Sequence, residues 1–112
     1  MEKVQYTKDC IPAIRTTNLL DASYLEYIAN YRGGDFRLER VVLVTEEVET
    51  KWRFEFEGKG LEKAYDDYSF GRADVGFSAL RMGYADLTLS IRAHRMLVGF
   101  RSAFSASGAD HA

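Results

Sequence analysis

Residues 36–57 read FRLERVVLVTEEVETKWRFEFE, and the phasing of their apolar positions decides the fold. Strict alternation from Phe36 places Phe36, Leu38, Val42 and Val44 on one face of a strand, with Arg40 interrupting that face. Val41 and Leu43 then fall on the other face, beside Arg37 and Glu39. A strand that is apolar on both faces near its middle belongs inside a sheet or under cover on both sides. From Trp52 the alternation is cleaner: Trp52, Phe54 and Phe56 point one way, and Arg53, Glu55 and Glu57 the other. The connecting residues 46–50 contain no Gly, Asn or Pro. That argues against a tight primed turn, and for a wider loop or one long bulged strand.

Upstream, residues 21–32 (DASYLEYIANYR) have helical spacing. Asp21 is a good N-cap, and Gly33 and Gly34 supply the stop. Leu20, Tyr24, Leu25, Tyr27, Ile28 and Tyr31 share one arc, with Ser23, Glu26 and Asn30 opposite. This is the pattern of a helix lying on a sheet. Residues 2–16 read as short extended pieces broken at Pro12, which suits a sheet edge. Downstream, Gly58 to Gly60 break the second strand. Leu61, Ala64, Tyr65 and Tyr68 then predict a short helix over 61–68. After Gly71 the texture reads as a β-meander, with strands over 75–80, 87–92 and 96–101 and breaks at 81–83 and 92–95. The expected fold is therefore α+β. It is a single antiparallel sheet of about five or six strands, curled at Gly76, Gly83 and Gly99, with the amphipathic helix 21–32 packed on one face. One domain covers 1–104, and the small polar residues 105–112 form a frayed tail.

Composition narrows the function classes. An apolar fraction of 46% with one proline in 112 residues describes a globule rather than a disordered chain. Cys10 is the sole cysteine, so no intramolecular disulfide forms. The longest apolar run, 41–44, is too short for a spanning helix or a signal core, so the expected setting is the cytoplasm, away from the membrane. Formal net charge is −2, but residues 35–67 carry −4 and residues 68–112 carry +2. The middle of the chain is acidic and its end mildly basic.

Reactive constellations are missing from the sequence. His94 and His111 have no partners at metal-ligand spacing. Cys10 has no base placed beside it. Asp66 and Asp67 diverge by about 100° on a helix and are not a preformed acid/base pair. Gly58-Lys59-Gly60 lacks the full glycine spacing and the Ser/Thr of a phosphate loop. No catalytic residue, cofactor or metal is expected. Arg81, Arg92, Arg95 and Arg101 would line the last hairpin as a basic edge. The acidic balance and the core placement of the aromatics argue against direct nucleic-acid binding.

The acids are more coherent. Glu46, Glu47 and Glu49 cluster in the connection, Glu55 and Glu57 share the outward face of the second strand, and Glu62, Asp66 and Asp67 follow. On one side of the molecule they would form a negative surface suited to a basic protein partner. The leading expectation is a small non-catalytic protein-binding module, of the inhibitor or immunity and antagonist type, engaging a basic, nucleic-acid-handling protein. That last step is class-level analogy. The rival is a small-ligand-binding or lyase/isomerase-type enzyme. Its pocket would lie between helix and sheet, with Tyr24, Tyr27 and Tyr31 as polar tips, Trp52 and Phe54 as the wall and Arg40 as an inward charge. A homo-oligomer joined by strand edges, or by contacts between the acidic middle and the basic end, is the third.

Overall fold

The computed structural model describes residues 1–110, with side chains described for 1–45 and 47–95. Seven elements follow one another: β1 (Gln5–Tyr6), β2 (Pro12–Thr16), α1 (Leu19–Tyr31), β3 (Arg37–Glu46), β4 (Glu49–Glu57), α2 (Leu61–Asp66) and α3 (Tyr68–Asp110). The strands form one antiparallel sheet in the order β1-β2-β4-β3. The α+β class is observed, but with four strands rather than five or six.

The missing strands are helix. The stretches 75–80, 87–92 and 96–101 all lie in α3, so the three glycines expected to bend a sheet bend none. The local alternation masks a stronger row: Val75, Ala79, Gly83, Leu87 and Ile91 recur every four residues. Ala79, Gly83 and Leu87 are buried, and Val75 and Ile91 pack against the core. A four-residue period is one helix face. The expected turn around His94 is helical for the same reason. Gly76 interrupts α3 with φ 75° and ψ 176°, dividing a short first segment from a long second one. Of the expected frayed tail, 105–110 continue α3, while 111–112 lie outside the described residues.

The core hairpin differs from strict alternation by a single residue. Leu38 pairs with Phe56 and Arg40 with Glu55, so Glu39 is an extra residue in β3. This bulge shifts the side-chain phase by one. Leu38, Val41 and Leu43 therefore face inward beside Phe56, Phe54 and Trp52, while Arg40, Val42 and Val44 face outward beside Glu55, Arg53 and Lys51. Arg40 is thus not the inward charge that alternation predicts. The connection is also tighter than expected: Glu46 pairs with Glu49, leaving a two-residue turn. Glu47 there takes a left-handed conformation at φ 52° without help from glycine or asparagine.

α1 begins at Asn18, whose side chain accepts from the Asp21 N–H at 3.0 Å; Asn18, not Asp21, is the cap. It ends where Gly33 turns left-handed at φ 67° and the Gly34 N–H folds back to the Ile28 carbonyl at 3.0 Å. Residues 21–26 are buried on every side of the helix. Ala22 and Leu25 belong to the core shared with Ile14, Phe54 and Phe56 from the sheet. At Ser23 and Glu26 the arc expected to face water is buried: a side chain at Gly83 of α3 would collide with the Ser23 carbonyl oxygen, while Asn30, still exposed, bonds to Asp86 at 3.0 Å. The long apolar seam of α3 thus makes α1 a central element.

Candidate functional site

β2 pairs with β4 only from Phe54 to Glu57. The rest of the β3–β4 hairpin is a two-stranded ribbon from Val42 to Arg53, running past the sheet to its turn at Glu47 and Val48. At the tip Val48 is 95% exposed, Glu47 and Glu49 are exposed, and Lys51 pairs with Glu49 at 3.3 Å. Glu46 stands in register opposite Glu49. On the ribbon's inner face Trp52 rests on α3. The His94 ring meets it edge-on at 5.4 Å between centroids, and the Arg95 guanidinium lies over it at 5.5 Å. His94 is therefore a packing residue of the ribbon rather than an exposed turn.

The eight acids fall in three places. Glu46, Glu47 and Glu49 hold the tip. Glu55 and Glu57 lie roughly 20–26 Å back along β4, at a strand's rise per residue. Glu62, Asp66 and Asp67 belong to α2 and its end, where Glu62 accepts from the Tyr6 hydroxyl and Asp67 pairs with Lys63 at 3.2 Å.

Glu55 is an inward-tied charge on the outer sheet face, only 4% exposed. Arg40 donates through Nε at 2.8 Å and Arg53 through Nε at 3.0 Å, with the Arg53 Nη2 at 2.9 Å and the Arg15 Nε at 4.0 Å as ion-pair contacts. Burial alone would raise its pKa, but the Arg40 and Arg53 bonds and the Arg15 charge outweigh it and hold the carboxyl below its ordinary value. Arg40 also stands 3.8 Å from Glu57. This cluster was only half legible in the sequence: alternation placed Arg53 and Glu55 outward, but the bulge that brings Arg40 beside them has no sequence mark of its own.

A second titratable cluster joins α1 to α3. Glu26 is buried, and Asn30 donates to Glu26 Oε1 and to Asp86 Oδ2, each at 3.0 Å. Burial and the neighbouring Asp86 raise the Glu26 pKa against the effect of the Asn30 bond. Near the N-terminus of α1, Tyr68 donates to Asp21 and accepts from Arg72; burial and the Asp21 carboxylate push the Tyr68 hydroxyl up to about 12.

The six residues of the expected pocket do not converge. Tyr27 stacks on Tyr31 at 5.5 Å, Phe54 is fully buried in the core, Trp52 sits under α3, and Arg40 is on the opposite sheet face. Tyr24 lines a cavity of about 820 Å³ at the C-terminal end of α1, and none of the other five stands among that cavity's lining residues. Ile28, Phe36 and Val75 give its apolar wall, with Lys63 and Asp67 beside them. Gly71 is required there, since a side chain at that position would strike the Tyr24 hydroxyl. Among the described residues, no three His, Cys, Asp or Glu side chains gather as a metal site, and no helix is long and apolar enough to cross a membrane. The chain matches no family model, no curated protein and no solved structure.

Proposed function

We propose that this is a small protein-binding module that works without catalysis and presents the β3–β4 ribbon tip to a basic protein. The observation that supports it is the tip itself: Val48, 95% exposed, flanked by Glu47 and Glu49 at the end of a two-stranded extension. An apolar apex between carboxylates offers a small contact core inside a charged rim, and the charge selects a basic partner and speeds its approach. Inhibition of a nucleic-acid-handling protein is the form of this reading that the acidic balance suggests by analogy. The dispersion of the acids narrows the surface from eight residues to the tip. Affinity capture with the wild-type chain and with the Glu47→Lys, Glu49→Lys pair tests it. A basic protein held by the first and released by the second is expected, with unchanged circular dichroism. Equal retention by both would sink the proposal.

The cavity beside Tyr24 supports a second reading, a small-ligand site, through its mix of aromatic wall and flanking charge. Val75→Trp would fill it. Fragments detected by ligand-observed NMR should then lose binding; fragments that bind the filled variant equally well count against the site.

A further inference from the structure

The two edges of the sheet differ. β1, at one edge, is two residues long and faces Pro12, so it offers little backbone for further pairing. β3, at the other, runs ten residues, and among the described residues its backbone bonds within the fold only to β4. Proteins blunt such an edge with charge, proline or a bulge. β3 carries its bulge at Glu39 and its charges at Arg37, Glu39 and Arg40 before 41–45 and at Glu46 after it. The stretch VVLVT has none of these devices, and within it Leu43 is 54% exposed.

We propose that β3 pairs antiparallel with β3 of a second copy, centred on Leu43, so that two four-stranded sheets become one. Side-chain phase and charge define the register. After the bulge, Val41 and Leu43 lie on the inner face, and Arg40, Val42 and Val44 on the outer. Directly opposed residues share a face in an antiparallel pair. Centring on Leu43 sets that residue against its own copy, Val41 opposite Thr45, Val42 opposite Val44, and Arg40 opposite Glu46 at both ends. Centred on Val42, Arg40 meets Val44 and the glutamate is displaced. Centred on Val44, Glu46 meets Val42 and the arginine is displaced. Only the Leu43 register is complementary to itself in charge as well as in face. That self-complementarity points to a second copy of this chain rather than an unrelated strand.

Light scattering on the full chain over a concentration series should show a dimer at the upper end. Leu43→Lys replaces a half-exposed side chain and sets two ammonium groups against each other. It should weaken the dimer by at least about tenfold while the circular dichroism is retained. Single cysteines in a Cys10→Ser background read the register. Leu43→Cys should form a covalent dimer under mild oxidation, because opposed Cα atoms stand about 4.5–5.5 Å apart. Val41→Cys and Thr45→Cys should each fail alone and cross-link when mixed. A monomer at every concentration, a dimer indifferent to Leu43→Lys, or cross-linking at 41 or 45 alone would overturn the proposal. None of these outcomes touches the ribbon-tip reading, which the lysine pair at 47 and 49 tests separately.

Discussion

Two glutamates show how the same side chain takes opposite roles according to what surrounds it. Glu55 is buried among three guanidiniums, and its pKa is held below the ordinary value. Its stabilising contribution is present above the unfolded pKa, near about 4.3, and is lost as pH falls through the lower folded value. Glu55→Gln should cost about 1–2 kcal/mol at neutral pH and flatten the acid limb of a plot of melting temperature against pH. The arginines are half-exposed, so solvent screens part of the effect. Glu26 runs the other way. Its pKa is raised, so its contribution is full below the unfolded value and is lost as pH rises through the folded one. Glu26→Gln keeps an acceptor for Asn30 and removes a buried charge facing Asp86. Its melting temperature at neutral pH should exceed that of the wild type. Glu47, left-handed without being glycine, is a third residue under constraint. Glu47→Gly should gain about 1 kcal/mol in urea unfolding, and no gain would mean that the turn is not strained.

Among the elements, α3 is where sequence and structure part. Its apolar positions satisfy a period of two over short windows and a period of four from Val75 to Ile91, and the longer period wins because α1 offers a face to bury it. Two glycines in α3 make different demands, and their alanine variants separate them. Gly76 has open space around it, so Gly76→Ala carries only a backbone penalty of about 1–3 kcal/mol for its dihedral angles. Gly83 lies against the Ser23 carbonyl, so Gly83→Ala must push two helices apart. Urea titration should rank Gly83→Ala as the more destabilised of the two. The reverse order would mean that the α1–α3 contact is loose. The ribbon offers a similar lesson: its pairing was readable from alternation, but the bulge at Glu39 was not, because an inserted residue leaves the local apolar pattern intact.

α1 packs against both the sheet and α3, and α3 also reaches the sheet directly at Trp52. The core draws side chains from β2, α1, β3, β4, α2 and α3. A core shared this widely should unfold as one unit. Trp52 joins the ribbon to α3 through His94 and Arg95, so its fluorescence reports that joint, while far-UV circular dichroism reports the helices. The two midpoints in urea should coincide. An earlier fluorescence transition would show the ribbon opening from α3 before the core gives way, and would set the ribbon apart as a separately mobile element.

The sequence by itself determined the α+β class, a helix over the 20s, the β3–β4 pair and the short helix after Gly60, because each of these is written in local periodicity and in its stop signals. It also determined the acids at 46–49 as neighbours. The tertiary structure alone decided the rest. Whether residues 75–91 form strands or helix depended on which partner surface could bury their apolar row, and α1 supplied much of it. Whether Arg40 faced the core or the outer arginine cluster depended on one unpaired residue in a ladder. The dispersal of the eight acids followed from strand length and helix placement, and a binding surface is a set of neighbours in space that no single stretch of chain encodes.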